Sequence, residues 1–252
     1  MLRFSKANAK IESLSAVPSI AGYLANKRKV YSFDILSGHN CPYAQQCRSS
    51  AVEGADGKRH IEDGPDTVFR CFSASQEALF PALYNLRKAN GDEILAIPNC
   101  VDVKNALAAA LPKNAGIVRI HVGGDFKTKQ YFRGWALLAK SRPDVLFYAY
   151  TKSLPYWIAD KDSLESIPNF VLTASRGGYK DNLIGEHKLR EAVVVFSEQQ
   201  AADLGLPIDH DDSHAAQKGG SFALLIHGGQ PAGSEAGKAL RELKGKGSYS
   251  RK

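Results

Sequence analysis

The chain has 252 residues, 44% of them hydrophobic and 23% charged, which is enough to bury a sizeable core and too apolar for intrinsic disorder. No stretch approaches the roughly 20 apolar residues of a membrane span, and Met1–Lys6 lacks the apolar core of a secretory signal, so a cytoplasmic protein with no membrane partner is expected. The formal charge of +7 excludes little: it leaves nucleic acid as a possible partner, although no aromatic–basic interleaving accompanies the basic run Lys244–Lys252.

In chain order, residues 1–30 read as a leader with a weak amphipathic helix. Tyr31–Leu36 is the first strand, and a long cysteine-bearing loop, residues 37–72, follows it. Within that loop Glu53–Lys58 is a polar, glycine-containing excursion expected at the surface. Leu79, Leu83 and Leu86 recur at helical spacing and predict a helix over Ser73–Ala89 with Ser75 as a possible cap. An alanine-rich helix over Val101–Leu111 comes next. Strands then alternate with helices. Gly116–Val122, Val145–Thr151, Asn169–Ser175, Ala192–Phe196 and Ser221–His227 are the strands; Lys129–Lys140, Ser153–Ser163, Glu198–Leu204 and Ser234–Leu243 are the helices between and after them. The strands are near-continuous apolar runs, as expected of a parallel sheet covered by helices. Six βα units point to an α/β protein with a partial (βα)6 TIM-like barrel over residues 31–243 and a flexible basic tail over 244–252. Trp135 and Trp157 fall in helical patterns and read as packing residues.

In parallel α/β folds the ligand site lies at the carboxyl ends of the strands. Cys41, Cys47 and Cys71 follow the first strand, and three of the four cysteines thus fall within 31 positions. Too few for a disulfide scaffold, they favour metal or redox chemistry. Three thiolates can hold a metal centre and leave one corner open, which suits iron–sulfur and zinc alike. No Cys-x-x-Cys pair occurs, but His39 or His60 could complete a Cys3His zinc site. Cys100 is either a buried thiol at a helix start or a fourth ligand that closes the centre. Gly123-Gly124-Asp125, Ser175-Arg176-Gly177-Gly178 and His227-Gly228-Gly229 stand past later strands, where glycines let backbone approach a ligand. Tyr148, Tyr150, Thr151 and Lys152 either face the same rim or pack against helices. Asp209–His214 could be a hard-metal site, a solvated connector or a lid. No P-loop and no Ser-His-Asp triad with credible spacing is present.

On the cysteine loop, the Gly123-Gly124-Asp125 segment and the six βα units, the chain resembles the radical S-adenosylmethionine superfamily, in particular small phage-type three-cysteine proteins of the gene-product-88 type. The resemblance runs from about Tyr31 to Gly237. It implies that Cys41, Cys47 and Cys71 bind a 4Fe–4S cluster whose open iron is chelated by S-adenosylmethionine. It places Gly123, Gly124 and Asp125 at the cofactor's amino group, Ser175 and Arg176 at its ribose or carboxylate, and His227 and Gly228 at its adenine. An enzyme of this kind generates a 5′-deoxyadenosyl radical, needs an electron donor, and, if phage-encoded, works in the host cytoplasm. The cysteine gaps here, five and then twenty-three residues, depart from the superfamily's usual three and two. The alternative is a non-catalytic, four-cysteine 4Fe–4S protein for electron transfer, sensing or nucleic-acid association.

Overall fold

The computed structural model describes residues 1–7 and 13–243; the basic tail and part of the leader lie outside the described residues. The elements in order are β1 (Ser5–Lys6), two short 3-10 turns (Ser13–Ala16 and Ala21–Leu24) and β2 (Lys29–Phe33). The cysteine loop carries β3 (Ser49–Glu53) and β4 (Arg59–Asp63), and α1 (Phe72–Leu79), α2 (Pro81–Leu95) and α3 (Cys100–Ala110) follow. Next come β5 (Ala115–Ile120), α4 (Lys129–Ser141), β6 (Leu146–Thr151), α5 (Leu154–Ala159), α6 (Lys161–Glu165), β7 (Phe170–Ser175) and α7 (Asn182–Glu186). The chain then forms β8 (Glu191–Val195), α8 (Glu198–Asp203), α9 (Ser213–Ala216), β9 (Phe222–Leu225) and α10 (Glu235–Glu242).

Seven strands make one mostly parallel sheet in the order β1-β2-β5-β6-β7-β8-β9. Only β1 runs antiparallel, against β2. Each later strand of the sheet lies beside its predecessor, and among the described residues the edge strands β1 and β9 do not pair, so the sheet stays open. Side chains alternate between its faces. Val118, Ile120, Phe147 and Leu172 pack with Val103, Leu107, Trp135 and Leu138 of α3 and α4. Ile117, Leu146, Tyr148, Val171 and Phe222 pack on the other face with Leu14, Ile20, Ala215 and Ala216. Both faces are covered, which is why the strands read as unbroken apolar runs.

Three local expectations are corrected and a fourth is met in a more specific form. The described part of the leader holds two 3-10 turns and β1 in place of an amphipathic helix, and Leu2, Leu14 and Ile20 are buried. The excursion at Glu53–Lys58 does lie at the surface, and it is the turn of an antiparallel hairpin, β3 with β4. The helix expected over Ser73–Ala89 is two helices: Pro81 has no N–H to continue the ladder, so α1 ends at Leu79 and α2 restarts with Pro81 in its first turn. Ser75 does not cap α1, which begins after Cys71; its Oγ donates to the Gly229 carbonyl at 3.2 Å.

Candidate functional site

The cysteine loop is anchored first by charge buried beneath it. Asp34, just past β2, accepts from Ser32 Oγ at 2.9 Å, Val122 N at 2.5 Å and Gly123 N at 3.1 Å, tying the end of β2 to the turn after β5. Glu77 of α1 is fully buried and accepts from Ser37 N at 3.1 Å and Ser37 Oγ at 3.0 Å. Arg87 of α2 pairs with Glu77 at 2.8 Å and donates to Ser73 Oγ at 2.6 Å through the same nitrogen. One ion pair therefore grips the loop ahead of Cys41 and just past Cys71. Burial raises the Glu77 pKa, opposed by Arg87 and the bonds from Ser37.

The loop then runs across the carboxyl edge of the sheet. Gln45 N and Gln46 N donate to the Gly177 carbonyl at 3.2 and 2.9 Å, and Tyr179 N donates to Tyr43 O at 3.0 Å. At the far strand, Gln230 brackets the backbone of Arg70: its Oε1 accepts from Arg70 N at 2.8 Å and its Nε2 donates to Arg70 O at 2.9 Å. Phe72 stacks on His227 with ring centroids 4.4 Å apart. The glycines at these contacts admit the cysteine loop itself. Gly177 (φ +100°) sits in a backbone region that favours glycine, with Gln46 packed against it, and at Gly228 (φ +80°) a Cβ would stand 2.5 Å from Phe72 Cβ.

Cys41, Cys47 and Cys71 are brought within electrostatic reach of one another. Burial pushes the Cys41 thiol up, and Asp125, Cys71 and Cys47 push it further. Cys71 is pushed up to about 11, first by burial and then by Cys47. The three half-buried cysteines and Asp125 thus lie near one another, and burial disfavours negative charge on Cys41 and Cys71. Asp125 is buried and accepts from Phe126 N at 2.7 Å, Thr151 Oγ1 at 2.7 Å and Lys152 N at 2.8 Å, which fixes its orientation. Burial raises its pKa too. Lys152 reaches on to β7, donating to Ser175 Oγ at 2.7 Å and to the Ser175 and Arg176 carbonyls at 2.9 Å each. The Arg176 guanidinium is taken by Glu191 of β8, at 2.5 and 3.0 Å. Gly123 and Gly124 pack on Ser73, Arg87 and Ile35.

Other candidates are placed elsewhere. Cys100 opens α3 in the outer helical layer; its carbonyl lies 3.3 Å from where a Cβ would stand on Gly134 of α4, and Arg133 is its charged neighbour. His39 Nε2 stands 3.0 Å from the Ala51 carbonyl, and His60, on the exposed hairpin, lies 3.4 Å from Glu62. Among the described residues no three His, Cys, Asp or Glu side chains are grouped to hold a single metal ion, so the Cys3His zinc reading has no support. The stretch Asp209–His214 is neither a solvated connector nor a lid. Asp209 and Asp212 are buried, and Asp212 accepts from Arg119 of β5 at 2.5 Å and from Tyr148 Oη of β6 at 2.9 Å, so the loop plugs the face opposite α3 and α4. Tyr150 points to the same carboxylate, 3.5 Å away.

Glu77, Arg87, Asp34 and Gln230 are the site-building residues that sequence reasoning missed. Glu77 and Arg87 sit ten positions apart on what reads as one helix, and neither spacing nor composition marks them as partners. The described residues contain no helix long and apolar enough to cross a membrane. No curated protein and no solved structure matches the chain. The family described as Gene product 88 matches residues 2–243, nearly the whole length, and the chain belongs to that family.

Proposed function

We propose that this phage-type protein is an iron–sulfur protein of radical S-adenosylmethionine type, built on a partial (βα)6 barrel. The observation that carries the reading is the proximity of the half-buried Cys41, Cys47 and Cys71 to one another and of Asp125 to Cys41, on loops at the carboxyl edge of consecutive parallel strands. The donor set fits a 4Fe–4S cluster: three thiolates suffice for three irons, and the cube itself separates its ligands, so they need not converge as around a single ion. The outer-layer position of Cys100 supports an iron left open to S-adenosylmethionine, rather than the closed four-cysteine alternative.

In this reading Cys41, Cys47 and Cys71 hold the cluster, and Glu77–Arg87 holds the loop that carries them. Asp125, oriented by Thr151 and the Lys152 amide, offers a carboxylate to the cofactor's amino group. Lys152 keeps Ser175 and the Arg176 backbone in place beside it. Arg176 serves through its main chain, since its guanidinium belongs to Glu191. His227 and Gly228 contribute the wall formed with Phe72. When bound, cluster and cofactor together supply one-electron chemistry that yields a 5′-deoxyadenosyl radical, for which an external electron donor is required.

Anaerobic reconstitution with iron and sulfide tests the reading. The expected result is about four irons and four sulfides per chain with broad absorption near ~400 nm, lost in Cys41→Ala, Cys47→Ala or Cys71→Ala and kept in Cys100→Ala. A wild-type chain that takes up no iron and sulfide overturns it. A cluster lost in Cys100→Ala selects the closed alternative.

A further inference from the structure

The edge of the sheet opposite the cysteine loop holds a cavity of about 320 Å³, within the range of ligand sites, which starts near ~300 Å³. It lies at the amino-terminal ends of β7 and β8. Trp157 and Leu189 form part of an apolar wall, and Lys161, Lys188, Arg190 and Lys218 also line it. Glu165 is the sole carboxylate among the lining residues. A smaller recess of about 210 Å³ adjoins it, sharing Lys218 and Gly219.

Lys188 and Lys218 are exposed at the rim of this cavity, and three observations describe the cations that line it. First, among the described residues the side chains of Lys188 and Lys218 make neither an ion pair nor a hydrogen bond. Second, Arg190 is anchored through uncharged groups: Thr173 Oγ1 at 2.6 Å, the His214 and Ala215 carbonyls at 2.9 and 3.2 Å, and the Gln217 carbonyl. Its Nε is buried with no partner, and among the described residues no carboxylate bonds to the guanidinium, although Asp209 acts on it electrostatically. Third, Lys188 is held in the left-handed region, φ +49°, just past α7, where Leu189 N donates to Ile184 O at 2.9 Å. Glycine is favoured at such a helix end because a side chain crowds the backbone there.

We propose that this cavity binds a phosphorylated ligand with a flat apolar body, a nucleoside monophosphate being the smallest example. The base lies against Trp157 and Leu189, and the phosphate dianion is neutralised by Lys188 and Lys218, with Lys161 and Arg190 adding to the positive field. Free nucleotide and a nucleotide within a single strand share this chemistry. The proposal is independent of the iron–sulfur reading, which concerns the other edge of the sheet.

Tryptophan fluorescence of the full chain reads the binding directly. Of the two tryptophans, Trp135 is sealed in the core, so a ligand-induced change reports Trp157. Adenosine monophosphate is expected to change the emission saturably, with adenosine at least about tenfold weaker. Lys188→Glu combined with Lys218→Glu should weaken the nucleotide by at least about tenfold. Lys188→Gly provides a variant that folds: its melting temperature should rise while nucleotide affinity falls. Tighter binding of a short oligoadenylate with the same lysine dependence assigns the site to a strand, and weaker binding assigns it to free nucleotide; either supports the shared chemistry. No saturable response at low-millimolar nucleotide, equal affinity for adenosine and its monophosphate, or unchanged affinity in Lys188→Gly overturns the proposal.

Discussion

Two buried ion pairs hold two irregular loops, and they do different things. Glu77–Arg87 lies under the carboxyl edge and clasps Ser37 and Ser73, the flanks of the cysteine loop. Arg119–Asp212 lies inside the sheet's second face and draws an acidic loop onto Tyr148. In both, a charge that is costly to bury is paired and hydrogen-bonded; Glu77 and Arg87 stand on consecutive helices, whereas Arg119 and Asp212 come from segments far apart in the chain. The first pair shapes a rim that carries thiols; the second fills a face that would otherwise be open. Burial of charge therefore marks where this fold controls loops, and the chemistry of the loop decides what the control is for.

The sharpest way to break the comparison is to remove one member of each pair. Glu77→Ala and Asp212→Ala should each destabilise the protein by about 3–5 kcal/mol, because Arg87 or Arg119 is left buried without its carboxylate; urea unfolding measures this. The variants should part company in iron retention after anaerobic reconstitution, which falls in Glu77→Ala and holds in the folded fraction of Asp212→Ala. Equal retention in both would mean the first pair has no special hold on the cysteine loop.

A smaller effect tests how closely the rim is packed. Gly228→Ala should cost about 1–3 kcal/mol, since the new methyl meets Phe72 and the backbone sits in the left-handed region. A thermal melt indistinguishable from wild type would show that the last loop is not pressed on the segment bearing Cys71.

His121 extends the comparison to pH. It lies just past β5 at φ +66°, buried, with Nε2 2.9 Å from Tyr131 Oη, and burial lowers its pKa to about 3. The folded chain keeps this imidazole neutral, whereas the unfolded chain protonates it below about 6.5. The unfolded state then binds more protons, so stability should fall as pH drops from about 6.5 toward 3, with a slope approaching about 1.4 kcal/mol per pH unit. His121→Gln should flatten that part of the stability–pH curve, and an unchanged slope would assign it to other groups. The smallest expected effect is Asn99→Ala: loss of the cap that accepts from Asp102 N at 2.9 Å should cost about 1 kcal/mol. It should leave iron content untouched, because the first turn of α3 belongs to the outer layer.

The alternation of apolar strands and amphipathic helices was determined by the sequence itself, because backbone periodicity is a local property that needs no partner to be read. The parallel order of the main strands followed from it, while β3 and β4 escaped notice: five-residue, largely polar strands look like loop until they pair. The clustering of Cys41, Cys47 and Cys71 was equally legible, since closeness along the chain is visible without a fold. Tertiary structure alone decided that Glu77 meets Arg87 beneath the cysteine loop, that Asp212 goes inward to Arg119, and that Cys100 stands in the outer helical layer. It alone brought Lys188 and Lys218, without an ion pair among the described residues, to the cavity that Trp157 also lines. The physical reason is common to all of these: a polar side chain has the same hydropathy whether solvated or buried, and only packing across distant segments determines whether its partner is water or another residue.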